Sequence, residues 1–376
     1  MNEYVFSVFD LMPYIILLFI LLFINSKRIT VARKTKYMFF TILLFACIRY
    51  GTGFDYFTYK IIIEDIGIDY QLLRFSFLSR LLVLIARNTY FQVFFILGSL
   101  LTIVPVYYVC KKISVNPVMS LLVYILNPLF FLAGMGIVRN AIAFSFILLS
   151  AFFFVESKTK VKKYIFFSAG CIVVGFFFHS SAFVGLLIYP IYYLSSTRIT
   201  NFSLYIVSII LSIAGSIYIV EFLGSYGFFE RAFIYATEKE HTGGGTMTYI
   251  INGMGIVFLL LWNSISKHGT LAQYWLKLNN VGVCLWNILL PLDVVLAGRI
   301  ATFYLLFSIL LVPYVAKTYS SKSVITQAIY PFFLLFFISS FALSIMGHLK
   351  NREDMANLPY QTIFYYNHYK NISRFY

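Results

Sequence analysis

The stretch MPYIILLFILLFINSKRITVARKTK, residues 12–36, decides the fold. An uncharged apolar run from Met12 to Ile24 leads straight into Lys27, Arg28, Arg33, Lys34 and Lys36. A spanning helix needs about 20 mainly apolar residues, and residues 5–25 supply them. Cytoplasmic loops collect Lys and Arg, so this cluster puts the first loop inside and the N-terminus outside. Glu3 and Asp10 stand where a secretory leader would carry basic residues, and the run therefore reads as a membrane helix that is kept.

Outward from that cluster the same alternation repeats. Runs at 37–50, 90–110, 117–133, 137–155, 164–178, 181–195, 202–223, 248–264, 278–297, 300–316 and 326–346 are apolar. Their inward ends fall at Lys111–Lys112, Lys158–Lys163, Arg198, Lys267 and Lys317–Lys322. Residues 56–88, interrupted by Lys60, Glu64, Asp65, Arg74, Arg80 and Arg87, must cross an even number of times, as an interfacial or re-entrant hairpin does. The expectation is an all-α, polytopic integral membrane protein with about 12 transmembrane helices and both ends outside. It forms one membrane domain, 1–376, with outer-face segments at about 51–75, 224–247 and the tail 348–376.

Composition agrees. Hydrophobic residues make up 61% and charged residues 11% of the chain, which excludes a soluble domain of this size. The net charge of +15 suits loops facing anionic lipid, and no nucleic-acid motif accompanies it. Four isolated cysteines, Cys47, Cys110, Cys171 and Cys284, form no CxxC pair and read as small buried side chains.

Arg49, Arg139 and Arg299 lie on the expected outer side, against the charge bias. In RYGTGFDYFTYK (49–60), Gly51 and Gly53 allow a tight turn and Asp55 can cap the next helix. Arg49 and Asp55 could pair across that turn, and Tyr56 and Tyr59 offer aromatic surface and hydroxyls suited to sugars. The plainer reading is an N-cap beside a snorkelling arginine. In GMGIVRNAIAFSF (134–146), Arg139 and Asn140 fall in the first turn of a helix. A cation matches that end of the dipole poorly unless an anion is bound, when helix terminus and guanidinium together make a phosphate site. A snorkelling interfacial arginine is again the alternative.

His179, in GFFFHSSAFVGLL (175–187), lies at the same depth. It is either a hydrogen-bonded core histidine or a proton acceptor or ligand for a phosphate or sugar hydroxyl. LDVVLAGRIATFYLLF (292–307) sets Asp293 and Arg299 on either side of an outer turn, with Tyr304 beyond. Asp293 could simply pair with an arginine. HTGGGT (241–246) lacks the GK[ST] ending of a nucleotide loop. HExxH, GxSxG and metal-spaced Cys or His are missing too, so no metal or redox cofactor is called for.

Taken in order, RYGTGFDYFTY, GIVRNAIAFSF, HSSAFVGLL, AGRIATFYLLF and NLPYQ (357–361) resemble the EpsG family of Wzy-like polysaccharide polymerases. Phe54 between Gly53 and Asp55, and the basic 74–87 stretch, depart from the pattern. The resemblance implies a GT-C-like helical membrane domain in the bacterial cytoplasmic membrane. It also implies a glycosyltransferase that polymerises undecaprenyl-diphosphate-linked oligosaccharide repeats at the outer face. Arg139 and Arg299 would take the diphosphate, with Arg49 beside them, and Asp55 or His179 would accept the proton of the acceptor hydroxyl. Tyr56, Tyr59, Asn140 and Tyr304 would line the sugar site. Inversion is expected, and a flippase and a chain-length regulator are the implied protein partners.

Rival readings use the same features. A flippase for the lipid-linked glycan should show charges deep inside helices and internal repeats, and neither is evident. An O-antigen ligase would bring a larger outer loop than 224–247. A membrane O-acyltransferase would need its histidine to reach the cytoplasmic side, whereas His179 is expected outside.

Overall fold

The computed structural model describes residues 8–64, 72–73, 75–159, 161–214, 245–319, 324–346 and 357–365. Arg74, Lys160, Lys322, most of the expected outer segment 224–247 and most of the C-terminal tail lie outside these residues. The chain divides into two compact units, Met1–Ala182 with Gln327–Tyr376, and Phe183–Thr326.

The first unit begins with a 3-10 turn, Val8–Leu11, and the helices α1 (Met12–Ser26) and α2 (Val31–Ile48). Thr30 caps α2 by accepting from Arg33 N–H, a local reason for the chain to re-enter a helix there. A two-residue strand, β1 (Arg49–Tyr50), follows, then α3 (Tyr56–Glu64), α4 (Phe77–Arg87) and α5 (Gln92–Ile113). Next come α6 (Pro117–Leu126), α7 (Phe131–Gly136), α8 (Val138–Thr159) and α9 (Tyr164–Phe178).

In sequence order α2, α5, α8 and α9 pack as neighbours, α2 on α5, α5 on α8 and α8 on α9. Each has basic residues at one end: Arg33–Lys36, Lys111–Lys112, Lys158 and Lys162–Lys163. Each carries a motif residue at or next to the other: Arg49, Gln92, Arg139 and His179. Hydrogen bonds described below join the motif ends, so the basic ends lie opposite. Lys27, Lys111, Lys112 and Lys158 each set the ammonium over an aromatic ring one turn back, Phe23, Tyr107, Tyr108 and Phe154, which anchors these chain ends in the manner of interfacial residues. Phe19 and Phe166 are 70% and 78% exposed on α1 and α9. Apolar surface of that kind on long helices faces lipid.

By length and composition, three helical stretches among the described residues are long and apolar enough to cross a membrane: Phe9–Ser26, Gln92–Ile113 and Val138–Thr159. Six more described helices are apolar but shorter, from Pro117–Leu126 to Leu334–Ile345. The expected run 117–133 is broken, because Pro128 cannot continue α6 and the backbone of Asn127 turns extended. The described residues of the stretch 56–88 include two short helices of 9 and 11 residues. At 1.5 Å per residue they reach roughly half of a 30 Å hydrocarbon layer. Arg87 ties them together, donating through Nε and Nη2 to Ile62 O in the last turn of α3, and Arg80 donates to Phe75 O and Leu73 O. Arg87 therefore neutralises the carbonyl end of α3.

The first unit closes with α17 (Val324–Met346) and β2 (Gln361–Thr362). β2 pairs antiparallel with β1, Arg49 opposite Thr362 and Tyr50 opposite Gln361. Tyr360 stacks on Phe45 at 4.1 Å and donates its hydroxyl to Phe45 O. Tyr14 donates to Asn357 O at 2.7 Å. The NLPYQ segment is thus built into the end of α2 that carries Arg49.

The second unit has α10 (Ile188–Tyr193), α11 (Arg198–Ala214), α12 (Gly245–Leu260) and α13 (Trp262–Ser266). It continues with α14 (Thr270–Leu289), α15 (Val294–Leu305) and α16 (Ser308–Tyr319). Among the described residues, the other six helices of this unit pack on α14. Amides pin its register: Asn280 donates to Asn201, and Asn287 to Ser208 and Asn252, the interhelical glue expected where water is scarce. α15 and α16 pass together as a span bent by 51°. The expected turn beside Arg299 is displaced: the break falls at Leu290–Asp293, where Asp293 caps α15 by accepting from Leu296 N–H at 2.6 Å, and Arg299 lies in the second turn of α15.

Candidate functional site

At the motif end of the first unit, the RYGTG loop and the GMG turn interlock. Gly53 has φ +112°, a conformation side chains rarely adopt, and a methyl there would meet Met135 O at 2.6 Å. Arg49 fastens the same junction. Its Nη1 donates to Ala46 O (2.6 Å) and Ser99 Oγ (3.0 Å), and its Nη2 to Met135 O (3.2 Å). Phe95 lies 5.3 Å from the guanidinium. Arg49 is 1% exposed, and the space beside it is about 10 Å³, room for one water at most and too small for a phosphate or sugar.

The expected Arg49–Asp55 pair is therefore not formed, because carbonyls and a hydroxyl occupy the guanidinium. Gln92, 0% exposed, completes the junction. It donates to Cys47 O and Arg49 O, both at 2.9 Å, and accepts from Tyr56 OH at 3.0 Å, covering the open carbonyls at the end of α2. Tyr56 is fully buried and stacks on Phe95 at 4.1 Å. The sugar contact expected of it has no support from this placement. The same holds for Tyr304, 0% exposed in the second unit and donating to Val184 O.

Arg139 is placed differently. It is half-buried in the first turn of α8. Its guanidinium lies 3.9 Å from the Phe75 ring centroid and 6.0 Å from that of Tyr59. Nε donates to Tyr59 OH at 3.4 Å. Neither Nη makes a hydrogen bond to any described residue, and no described carboxylate pairs with this cation. Among the described residues, nothing engages the two-pronged edge of Arg139, which lies at the positive end of a 22-residue helix. Tyr59 is one turn beyond Asp55, whose carbonyl accepts from Tyr59 N–H at 2.9 Å. Asp55 is half-buried at the start of α3.

His179 ends α9 in extended conformation, φ −151°, ψ 123°, with its N–H still donating to Gly175 O. Its Nδ1 lies 2.6 Å from Ser181 Oγ, and Ser181 Oγ lies 3.3 Å from Asn140 Oδ1. Ser79 Oγ donates to Phe178 O at 2.7 Å, which holds the start of α4 against the same corner. Asn140 is 2% exposed, so its amide faces Ser181 within the unit.

The structure therefore brings together Arg139, Asn140, His179, Tyr59 and, one turn away, Asp55. It buries Arg49 and Tyr56 as supports beneath them, and carries Arg299, Asp293 and Tyr304 in the second unit. Gln92, Ser99 and Ser181 are participants that sequence reasoning passed over; a polar residue inside an apolar run was the available signal for the first two.

Apolar exposed helices, one end rich in Lys and Arg and the other gathering a cation, a histidine and amides define a helical membrane protein with a polar site at one end. The chain belongs to the EpsG family, whose model matches residues 36–362, most of its length, and whose members are Wzy-like polymerases. No curated protein and no solved structure matches it.

Proposed function

We propose that this chain elongates a polysaccharide at the outer face of the cytoplasmic membrane, using undecaprenyl-diphosphate-linked oligosaccharide repeats. The supporting observation is Arg139: a guanidinium whose two Nη atoms bond no described residue, held on an aromatic ring at the amino end of a long helix. The acceptor hydroxyl oxygen attacks the anomeric carbon of the donor. The bond to the diphosphate oxygen breaks and its electron pair stays on the diphosphate, with inversion at the sugar. Arg139 and the amide end of α8 neutralise the charge that develops on that leaving group. His179, tied by hydrogen bonds to the residue next to Arg139, accepts the hydroxyl proton. The outer-face assignment rests on the Lys and Arg residues gathered at the opposite helix ends.

The test is release of the lipid diphosphate from lipid-linked repeats supplied to reconstituted protein. Arg139→Ala should lower turnover by roughly 10²–10³-fold, as loss of a transition-state donor does. Arg139→Lys should recover part of it, keeping charge without the fork. Passage of repeats across the vesicle without diphosphate release would make the protein a transporter instead.

A further inference from the structure

We infer that Phe75 and Arg80 are positioning residues for Arg139: the Phe75 ring holds the guanidinium flat, and Arg80 fixes the backbone that carries the ring. The inference deepens the proposed reaction and rests on Arg139 meeting the leaving diphosphate. An arginine side chain has many rotamers, so a guanidinium that must meet its ligand two-pronged gains from being held beforehand. Arg139 is held on one face and at one atom of its edge. Its Cζ lies over the Phe75 ring, 3.9 Å from the centroid, contact distance for two flat groups. Nε donates to Tyr59 OH at 3.4 Å. Together these contacts set the plane of the guanidinium and its rotation within that plane.

The platform is itself fixed. Phe75 is buried, its ring edge-to-face with Tyr59 at 6.0 Å between centroids and 80° between planes. Tyr59 in turn lies 4.9 Å from the Phe94 ring on α5. Phe75 stands ahead of α4 and outside any helix, so no helical ladder sets its backbone. Arg80 does so from the first turn of α4, Nε donating to Phe75 O and Nη2 to Leu73 O, both at 2.6 Å. Phe75 N–H adds a turn contact to Leu72 O at 3.0 Å. One line of contacts thus runs from Arg80 through Phe75 to Arg139. It gives the basic stretch 74–87 a task that needs no ligand of its own: Arg80 commits its donors to the main chain and acts on the site through the ring. A cation stacked on a ring where water is scarce gains more than one at an open surface, so removing the ring should loosen Arg139 without unmaking α8.

The experiment joins NMR of the arginine guanidinium groups with turnover, both on the full-length protein in lipid. The Arg139 signal is assigned by its loss in Arg139→Ala. In the wild type the ring current of Phe75 should displace that guanidinium proton signal upfield. Phe75→Leu should return it to the ordinary arginine position, Phe75→Tyr should keep it displaced, and Arg80→Ala should reduce the displacement. Release of diphosphate from undecaprenyl-diphosphate-linked repeats should fall about 10-fold in Phe75→Leu and recover in Phe75→Tyr. In an Arg139→Ala background Phe75→Leu should change turnover less than about 2-fold, because nothing is left for the ring to position. An undisplaced signal in the wild type, or one that Phe75→Leu or Arg80→Ala leaves unaltered, overturns the inference. So does an equal loss of turnover from Phe75→Leu with and without Arg139, since the ring would then serve the fold alone. Undiminished diphosphate release by Arg139→Ala overturns the proposed reaction instead, while the NMR signals still decide whether Phe75 and Arg80 hold the guanidinium.

Discussion

Gly53 and Gly136 meet backbone to backbone: a methyl added to Gly53 would lie 2.8 Å from Gly136 Cα, and one added to Gly136 would lie 3.0 Å from Phe54 N. Two motifs more than eighty residues apart are thereby a single structural piece, with Arg139 three residues beyond the contact. Gly53→Ala should strain a positive φ, by about 1–3 kcal/mol, and also force the GMG turn away. Thermal unfolding in detergent should show a clear fall in midpoint. Gly170→Ala, where nothing lies within 4 Å on α9, should show none.

Arg49 is a strut. Arg49→Lys would give up donors to Ser99 and Met135 while leaving a cation buried, at a cost of about 2–4 kcal/mol. Less folded protein in the membrane is the expected result, with surviving molecules close to normal in KM for lipid-linked donor. Wild-type stability with turnover abolished would return Arg49 to the diphosphate.

The closing strand is another support. Tyr360→Ala removes the ring stacked on Phe45 and the hydroxyl donated to Phe45 O. For a buried aromatic the loss is on the order of 3–5 kcal/mol. Tyr360→Phe should cost about 1 kcal/mol, one hydrogen bond. Denaturation of both variants beside the wild type checks the ordering; equal stability of all three would show that NLPYQ does not hold β1.

Much of this arrangement was legible in the chain. The quoted motifs around Arg139, His179 and Asp55 do come together, because helices that alternate between basic and motif ends must collect the motif ends on one side. The position of the NLPYQ segment was not legible. Hydropathy places a tail inside or outside, and pairing with Arg49 and Tyr50 across some three hundred residues leaves no local trace. The fate of Arg49 was hidden for a related reason: two of its three acceptors are main-chain carbonyls, at positions 46 and 135, which no residue type announces. Helix breaks at Asn127–Pro128 and Leu290–Asp293 were lost because a 20-residue window averages over a single proline or cap.

His179 and Asp55 divide cleanly by substitution. His179→Gln should lower turnover by roughly 10²–10⁴-fold, the contribution of a positioned base. Asp55→Asn should do far less, since the hydrogen bonds described above link Asp55 to Arg139 through its backbone carbonyl and Tyr59. Single-turnover rates with saturating donor check both, and the reverse order would make Asp55 the base.

Glycan chain length in cells carrying Arg139→Ala, with membrane levels of the protein confirmed, tests the central claim most directly. Collapse of the polymer to single repeats that still reach the outer face is the predicted result. Chains of normal length would contradict it, because the cation said to hold the leaving diphosphate would then be dispensable.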